Sequence, residues 1–370
     1  MNRGEIDVVY RVKSAPAEIG ARAEALLLEQ TVELPRRALR AGFALERLVG
    51  RVVATELVGE NEHRVTLAQP ALAAEENPAQ LLNVLFGNCS LQPDVELEDL
   101  RLPEAIARAL GGPRFGSAGL RRLAGAHGRA LTASALKPLG LPVAEVAGLC
   151  RTLALSGLDF IKDDHSLADH SFCPFAERVR ACLGATAEAA QKTGRRAHYV
   201  PNIIGSPETM ARQARLAVEL GAEAVMVSPM IMGLPFFNEF VRGLGLPVLA
   251  HPAFGGAQRI APQALLGKLF PLFGADAVIY PNAGGRFSYS PEVCLGIARA
   301  LRSPRAAMAP SLPVPAGGIR IESVPEVLEF YGADAMLLIG GSLLESPDAA
   351  QLLSRGRRFV AAVQSFPYPP

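Results

Sequence analysis

The sequence has 370 residues, 49% of them apolar, and carries 37 Lys and Arg against 36 Asp and Glu, for a formal net charge of +1. At ~100–200 residues per domain, this length predicts two or three domains, or one barrel-sized domain with a smaller companion. The near-zero charge without a basic stripe argues against a nucleic-acid partner, and no apolar run approaches the ~20 residues that span a bilayer, which argues against a membrane.

The five cysteines are scattered without a CxxC pair, which is typical of neither a disulfide framework nor a zinc motif. The first residues alternate apolar and polar side chains and form no apolar signal core. We therefore expect a soluble, cytoplasmic protein. The 35 glycines and 29 prolines, in so apolar a chain, predict many turns between buried elements and not disorder.

The first part of the chain, residues 1–112, predicts a small α+β domain. Asp7–Lys13 alternates as a half-buried strand does, and a helical stretch follows at Ala17–Glu29. Further strand-like segments lie at Arg51–Leu57 and His63–Ala68. The glycine-rich segment Leu110–Leu120 is the predicted boundary to a second domain, residues 113–370.

In the second domain one unit recurs: a short apolar run, a small or polar cluster, and a longer amphipathic stretch. The eight runs are Ala130–Pro138, Asp159–Asp164, Ala197–Ile203, Ala224–Pro229, Pro247–Ala253, Ala277–Asn282, Pro313–Ile319 and Ala335–Gly341. Continuous apolar runs joined by helix-length segments indicate parallel strands buried on both faces. An open doubly wound sheet shares this pattern, but eight evenly spaced units favour a closed (β/α)₈ TIM barrel.

A partial repeat supports the barrel. GAEA at Gly221–Ala224 and GADA at Gly274–Ala277 and Gly332–Ala335 each precede a predicted strand, with glycine placed to end the preceding helix.

The predicted strand ends carry polar and glycine residues where the site of such a barrel is expected. In chain order they are Lys137, Lys162 to His165 (KDDH), His198, Ser228, His251, Asn282, Gly317-Gly318 and Gly340-Gly341.

The cluster after the second strand is the most informative of these. Lys162 and Asp164 face one side of the strand and His165 lies at the turn, so the three could hold a divalent cation. A plain Lys–Asp ion pair is the alternative. Lys137 is either a desolvated lysine with a lowered pKa, suited to acid/base work beside a carbonyl, or a surface lysine whose stem covers apolar residues.

The histidines and the glycine pairs each allow two interpretations. His251 and His198 could be ligands, proton carriers or hydrogen-bonded core residues. The backbone amides of Gly317-Gly318 and Gly340-Gly341 could bind a phosphate, as at this place in many barrels, or the glycines could serve turns alone. Two pairs at two successive strands favour phosphate.

Gly128–Pro142 (GRALTASALKPLGLP) followed by Gly157–His165 (GLDFIKDDH) resembles the large subunit of ribulose bisphosphate carboxylase, RuBisCO. Further similar segments occur in the family's order over nearly the whole chain: Phe86–Leu102, Gly111–Gly116, His198-Tyr199, Pro315–Ile319 and Leu338–Gly341. The resemblance implies a ferredoxin-like N-terminal domain, a (β/α)₈ barrel, and a homodimer whose active site is completed by the partner's N-terminal domain.

The resemblance also implies roles for single residues. Glu29 and Asn88 match the Glu and Asn that the N-terminal domain contributes. Lys162 matches the lysine that CO₂ carbamylates. Asp164 and His165 occupy the two metal-carboxylate positions, which implies Mg²⁺.

On the barrel, Lys137 matches an acid/base lysine of the family and His251 an active-site histidine. Two departures from the family's pattern lie beside them. His165 stands where the family has Glu, which should weaken Mg²⁺ relative to Mn²⁺ or a softer ion. Leu139 replaces the second lysine of the strand-one motif.

Other departures concern the family's second phosphate site. Pro252 replaces an arginine, and Ile279 and Ala316 stand where that phosphate expects polar partners. The loop Asn282–Ser288 (NAGGRFS) lacks the family's GK-type segment with its CO₂-stabilising lysine, although Arg286 is nearby. The Gly317-Gly318 and Gly340-Gly341 site is retained, so the chain resembles the RuBisCO-like proteins of form IV, which enolise monophosphorylated substrates without fixing CO₂.

We therefore expect a metal-dependent enolase or isomerase that removes a proton beside the carbonyl of a phosphorylated keto-sugar or thiosugar. Examples are 5-methylthioribulose 1-phosphate or a methionine-salvage diketone phosphate, with the metal stabilising the enediolate. Two alternatives stay open: a decarboxylase or carbon–carbon hydrolase of a 3-oxo sugar-acid phosphate, and a non-catalytic binding or regulatory relative.

Overall fold

The computed structural model describes residues 4–285, 287, 289–303, 308–346 and 348–368. The N-terminal part is a four-stranded antiparallel sheet covered by helices. Its strands are β1 (Glu5–Lys13), β2 (Arg51–Gly59), β3 (Glu62–Pro70) and β4 (Val95–Arg101), and its helices are α1 (Ile19–Thr31), α2 (Pro78–Phe86) and α3 (Glu104–Leu110). The chain order βαββαβ with spatial order β2-β3-β1-β4 is ferredoxin-like, as expected.

Alternation along β1 explains how this sheet packs. Its residues alternate between buried and partly exposed, so Val8 and Tyr10 face the core, where they meet Leu26 of α1. The predicted strands at residues 51–57 and 63–68 and the predicted helix at 17–29 are present with shifted ends. Strand β4 was not predicted as an element, although the alternation in VELEDL is the same signal.

The second part is an eight-stranded parallel barrel. Its strands are β5 (Leu131–Leu136), β6 (Phe160–Asp163), β7 (His198–Val200), β8 (Val225–Val227), β9 (Val248–Ala250), β10 (Ala277–Pro281), β11 (Leu312–Ala316) and β12 (Met336–Leu338). The sheet order is β7-β6-β5-β12-β11-β10-β9-β8. The barrel closes between β7 and β8, where Met226 N donates to Pro201 O at 2.9 Å and Ile203 N donates to Met226 O at 2.9 Å. The prediction of a closed barrel is confirmed.

The first helix of this part precedes β5, and the others follow the barrel strands. They are α4 (Gly116–Ala124), α5 (Val143–Leu155), α6 (Phe175–Thr193), α7 (Pro207–Leu220), α8 (Pro229–Met232), α9 (Leu234–Gly243), α10 (Pro262–Ala264), α11 (Phe270–Leu272), α12 (Pro291–Arg302), α13 (Val324–Tyr331), α14 (Gly341–Leu344) and α15 (Ala349–Gln364). Within the described residues, no helix combines the length and apolar character needed to cross a membrane.

Side chains of each barrel strand alternate between the interior and the surrounding helices. Phe160, Met226 and Leu249 belong to the apolar cluster inside the barrel, whereas Ile161 and Val227 pack outward. Because side chains alternate with a period of two residues, the next inward-facing positions lie at the carboxyl ends of the strands, at the mouth of the barrel. The residues at these positions are polar. These positions are Lys137, Lys162, Asp164, Asn202, Ser228 and His251.

His198 lies at the opposite end of the barrel from these residues, so placing it at a strand end was wrong. Strand β7 begins at His198, and its Nδ1 lies 2.8 Å from Glu223 Oε2. His198 is therefore a hydrogen-bonded core histidine and takes no part in the site.

The Gly-Ala-acid repeats place acidic residues at this amino-terminal end of the barrel. Asp276 is buried and accepts hydrogen bonds from the backbone N–H groups of Phe115 (2.7 Å), Gly116 (2.7 Å) and Val248 (2.9 Å). Asp334, at the same place in the last repeat, is exposed, and its carboxylate pairs with Arg121 at 3.0 Å. The two aspartates thus occupy equivalent positions with different burial.

We expect Asp276→Ala to lower the free energy of unfolding by about 3 kcal/mol, because three buried N–H groups lose their acceptor. The matched change Asp334→Ala should cost less than about 1 kcal/mol, since exposed ion pairs contribute little. Urea denaturation followed by circular dichroism measures both. Equal shifts of the midpoint would contradict this account of the repeat.

Candidate functional site

Lys137 and Asp164 form an ion pair at the mouth of the barrel. Lys137 follows β5 and Asp164 follows the neighbouring strand β6, and Lys137 Nζ lies 2.7 Å from Asp164 Oδ2. This contact lacks the alignment of a hydrogen bond, so the buried Oδ2 atom has no hydrogen-bond partner among the described residues. Oδ2 is therefore held by the charge of Lys137 and has no aligned donor.

The other oxygen of Asp164 is fully engaged. Oδ1 accepts hydrogen bonds from the Ser166 hydroxyl (2.6 Å) and the Ser166 N–H (3.1 Å), and lies 3.3 Å from His165 Nδ1. Burial alone would raise the pKa of Asp164, but hydrogen bonds from His165 and Ser166 and the positive charge of Lys137 hold that pKa well below its usual value. Asp164 is therefore a carboxylate at any physiological pH.

Lys162 is buried between these groups on the inward side of β6. Its Nζ donates a hydrogen bond to the carbonyl of Asp163 at 2.7 Å. Burial lowers the pKa of Lys162 to about 8; the carboxylate of Asp164 opposes that shift and the charge of Lys137 adds to it. A substantial neutral fraction makes this amine nucleophilic near neutral pH.

His165 and His251 stack face to face across the mouth. Their ring centroids are 4.3 Å apart and the rings are inclined by 6°. His251 Nδ1 accepts a hydrogen bond from the N–H of Ala253 at 3.1 Å, which assigns the ring proton to Nε2. Burial, with the charges of Lys162 and His165, holds the pKa of His251 well below its usual value, so this imidazole is neutral.

Asp163 points away from the mouth and anchors β6 to the helices. It pairs with the fully buried Arg178 of α6 (Nε to Oδ2, 3.1 Å) and accepts hydrogen bonds from the Tyr199 hydroxyl (2.8 Å) and the Asn202 N–H (3.0 Å). Burial raises the pKa of Asp163, although Arg178 opposes the shift. The charge pair keeps this strand end in place.

Arg178 also binds the loop that follows β6. Its Nη1 donates to the carbonyls of Ala168 (2.9 Å) and Cys173 (2.9 Å). Sequence reasoning missed Arg178, although it interrupts the apolar stripe of α6 formed by Phe175, Val179 and Cys182. A charged residue within such a stripe was the available signal.

Asn202 is a second residue that sequence reasoning missed. Its Nδ2 donates to the carbonyl oxygens of His165 (2.9 Å) and Leu167 (3.3 Å). Asn202 therefore fixes the backbone of His165. The polar residue in the otherwise apolar run 197–203 was the signal that could have found it.

The two glycine pairs lie side by side at neighbouring strands. Gly317 and Gly318, with φ of 84° and 73°, follow β11, and Gly340 precedes α14, which begins at Gly341. A Cβ at Gly317, Gly340 or Gly341 would meet open space. The Ser342 hydroxyl donates to the Ile319 carbonyl at 3.0 Å and ties the two turns together.

The loop after β10 packs directly on this glycine site. A Cβ at Gly318 would lie 2.6 Å from Gly285 Cα, and a Cβ at Gly285 would lie 3.0 Å from the Gly317 carbonyl oxygen. The two backbones touch and leave no room for side chains. Arg286 and Ser288, named in the sequence analysis, lie outside the described residues.

On the side of strands β9 and β10, the mouth is apolar. Ile279 is buried inside the barrel, Pro252 follows His251, and Phe254 is exposed. Nothing in the chemistry of these three side chains binds a phosphate.

Glu29 and Asn88 lie together in the N-terminal domain. Asn88 Nδ2 donates to Glu29 Oε1 at 2.8 Å, and both line a cleft of about 190 Å³ with Gln80 and Asn83. Their described contacts are within that domain, and none joins them to Lys137 or Lys162. That they complete a partner's site stays a prediction.

The residues at the mouth suit a cation only if Lys162 is modified. In the described part of the chain, no three His, Cys, Asp or Glu side chains are grouped as metal ligands. Asp164 and His165 offer two ligands, and an ammonium group offers none. A carbamate on Lys162 would supply the third as a carboxylate, and the Oδ2 of Asp164, which has no aligned hydrogen-bond donor, fits such a site.

Known proteins are similar to this chain over nearly its whole length. Residues 116–244 match the model of the catalytic domain of the ribulose bisphosphate carboxylase large chain. The chain is 50% identical over 361 residues to ribulose bisphosphate carboxylase-like protein 1 of Rhodopseudomonas palustris, covering 97% of this chain and 98% of that protein. A crystal structure of a RuBisCO-like protein from Rhodopseudomonas palustris superposes with a TM-score of 0.92 at 45% identity, covering 99% of both chains.

Two further relatives are named for reactions. The chain is 45% identical over 356 residues to the 5-methylthioribulose-1-phosphate isomerase of Rhodospirillum rubrum, covering 96% of this chain and 95% of that protein. It is 34% identical over 342 residues to the 2,3-diketo-5-methylthiopentyl-1-phosphate enolase of Geobacillus kaustophilus, covering 87% and 82%.

The contribution of the buried ion pair between Asp163 and Arg178 to stability can be tested by substitution. Arg178→Gln leaves Asp163 buried and unpaired, so the free energy of unfolding should fall by about 3–5 kcal/mol. The double variant Arg178→Gln with Asp163→Asn removes both charges and should recover part of that loss. Urea denaturation measures both, and a double variant that loses the full sum of the single changes would contradict the pairing.

Proposed function

Because the chain belongs to the family of the ribulose bisphosphate carboxylase large chain, among its RuBisCO-like proteins, we propose that it is an enolase or isomerase and not a carboxylase. The substrate is a monophosphorylated keto-sugar or thiosugar of the methionine-salvage type, such as 5-methylthioribulose 1-phosphate. The observation that carries this proposal is the buried Lys162 amine beside the Lys137–Asp164 pair, at the same barrel mouth as the two glycine pairs.

The relatives favour isomerisation within this class. The relative named for 5-methylthioribulose 1-phosphate is more similar to this chain, at 45% identity, than the relative named for the diketone phosphate, at 34%. Both names describe chemistry at a carbon next to a carbonyl of a monophosphate, which agrees with a mouth that has one phosphate-binding side.

The phosphate would be bound by backbone amides at one side of the mouth. Gly317, Gly318, Gly340 and Gly341 have no side chains there, so the phosphate can approach their N–H groups closely. On the side of the mouth at β9 and β10, next to β11, Pro252 and Ile279 stand in place of cationic or polar groups. A second phosphate would lack partners there, which supports a monophosphate and argues against ribulose bisphosphate.

The side chains between these two sides of the barrel mouth would transfer the proton. In the proposed reaction a base removes the proton from the carbon next to the carbonyl, the electron pair moves to the carbonyl oxygen, and a proton returns to the neighbouring carbon. Lys137 or Lys162, the latter as its carbamate, is the base. His251, whose ring proton lies on Nε2, would pass that proton to the neighbouring carbon and be reprotonated by the base.

Lys162, Asp164 and His165 would hold a divalent cation, either Mg²⁺, Mn²⁺ or a softer ion. The cation would polarise the substrate carbonyl and so acidify the neighbouring carbon. With a pKa of about 8, Lys162 is roughly one-tenth neutral at pH 7, and only the neutral amine can react with CO₂ to form a carbamate. The imidazole of His165 favours Mn²⁺ or softer ions more than a carboxylate would.

Glu29 and Asn88 complete the proposal as residues of a partner subunit. Their side chains face each other at the surface of the N-terminal domain, with Oε1 of Glu29 accepting from Asn88 at 2.8 Å. A homodimer would bring this pair to the barrel mouth of the partner, in the cytoplasm.

Proton exchange tests the reaction directly. The protein with 5-methylthioribulose 1-phosphate in D₂O, with Mg²⁺ and bicarbonate, should exchange the proton next to the carbonyl, as measured by NMR. Lys137→Met should slow this exchange by about 100-fold or more, because an acid/base group contributes about 10²–10⁴-fold. The exposed Lys192 of α6 supplies the control Lys192→Met, which should leave the rate unchanged.

Two results would contradict the proposal. One is the absence of exchange in the unmodified protein with any phosphorylated ketose tested. The other is incorporation of labelled bicarbonate into product when ribulose bisphosphate is supplied.

The glycine site generates a separate test. Gly341→Ala places a methyl group in open space at the start of α14, so the fold should be unaffected. The same methyl group would separate a phosphate from the amides, and loss of one charge-assisted hydrogen bond of about 1.5 kcal/mol weakens binding about tenfold. Isothermal titration with the phosphorylated substrate measures this, and an unchanged Kd would exclude Gly341 from the phosphate site.

Gly148→Ala is the matched control for this test. Gly148 lies in α5, where a Cβ also meets open space. The substitution should leave the Kd unchanged, and because alanine favours a helix interior over glycine it should raise the melting temperature slightly.

A further inference from the structure

Two buried polar atoms at the barrel mouth have no hydrogen-bond partner among the described residues and no part in the mechanism above. They are Asn202 Oδ1, after β7, and Ser228 Oγ, after β8. Asn202 is 1% exposed and Ser228 is 5% exposed. Leaving a buried oxygen unpaired costs folding free energy, so both atoms are available to a water or a ligand group that enters the barrel.

The strand pleat directs both side chains into the barrel. Val200 and Met226 lie in the interior apolar cluster, and Asn202 and Ser228 follow them by two residues. The register pairs Val227 with Ala250, so Ser228 is beside His251 on the next strand. Both oxygens therefore belong to the same mouth as the reacting groups.

The chemistry of the two oxygens restricts what they can bind. Asn202 Nδ2 donates to two carbonyl oxygens, those of His165 and Leu167, which fixes the orientation of the amide. Its Oδ1 can only accept, and the Ser228 hydroxyl can donate or accept. A substrate hydroxyl satisfies both oxygens, whereas a carbonyl or a methylene leaves Oδ1 unpaired.

The position of the pair indicates which end of the substrate it meets. In the closed strand order, β7 lies opposite β11 and β8 lies opposite β12. Asn202 and Ser228 are thus across the mouth from the glycine pairs at 317–318 and 340–341. A substrate whose phosphate lies at the glycines extends its other end toward them.

We propose that Asn202 and Ser228 bind a hydroxyl group on the part of the substrate remote from its phosphate. The pair makes the site selective for a hydroxylated ketose phosphate, such as 5-methylthioribulose 1-phosphate, over a diketone phosphate that lacks those hydroxyls. This inference rests on the proposed function for the position of the phosphate. Rotation of the Ser228 side chain about its Cα–Cβ bond brings the hydroxyl to the substrate.

Binding of two unreactive ligands tests the proposal. A pentitol 1-phosphate carries the hydroxyls but no carbonyl, and its 3,4-dideoxy analogue lacks the two hydroxyls in question. By isothermal titration, the unmodified protein should bind the pentitol phosphate about tenfold or more tightly than the analogue. Ser228→Ala should abolish that preference, and Ser228→Thr, which keeps a hydroxyl, should restore most of it.

Ser311→Ala is the matched control. Ser311 is a buried serine at the other end of the barrel, whose hydroxyl donates to the Ala275 carbonyl at 2.8 Å. Its loss should leave the preference between the ligands unchanged. Equal binding of the two ligands by the unmodified protein, a failure to bind either, or a preference that survives Ser228→Ala would each overturn the proposal.

This outcome is separable from that of the proposed function. Neither ligand can be enolised, so the preference is measured without turnover. A preference that depends on Ser228, in a protein that exchanges no substrate proton in D₂O, would overturn the proposed reaction and retain the hydroxyl site. Proton exchange without the preference would do the reverse, and with exchange present Ser228→Ala should raise KM more than it lowers kcat.

Discussion

Closure of the parallel sheet into a barrel is the constraint on which the rest of the structure depends. Once eight strands close, every second side chain must point into a shared interior. Apolar residues such as Phe160, Met226 and Leu249 fill the lower part of that interior. The next inward positions lie at the mouth, where water and ligands reach them, and there the same alternation brings charged and polar groups from five strands together.

The polar mouth needs support from outside the barrel. Asp163 alternates outward between two inward-facing site residues, Lys162 and Asp164, and so provides the natural attachment point. Its pairing with the fully buried Arg178 ties the end of β6 to α6 and to the loop that follows. A buried pair adds little to stability compared with apolar packing, but its geometry restricts where the neighbouring side chains can lie.

Charge balance at the mouth separates the pKa values of its groups. Asp164 is kept ionised by three donors, Lys162 is driven toward its neutral form by burial, and the neutral His251 stacks on His165. Opposite environments acting on neighbouring groups separate their pKa values, which is how one site offers both an acid and a base. The glycine pairs lie on one side of this centre, and the Asn202–Ser228 pair lies on the opposite side.

The sequence alone determined the fold class, the positions of the eight barrel strands and the residues at most of their ends, because parallel buried strands leave a local signature of apolar runs and turn residues. It also pointed to Lys137, Lys162, Asp164 and the glycine pairs as candidate site residues, through motifs of contiguous residues.

Only the tertiary structure decided which residues support them. Arg178 and Asn202 act across separations of 15 and 37 residues, on Asp163 and His165 respectively. Strand β7 begins at His198, so His198 lies at the amino-terminal end of the barrel and not at the mouth. The backbones of Gly285 and Gly318 pack against each other. Such contacts depend on strand register and on how loops pack in three dimensions, and neither is encoded in any short stretch of the chain.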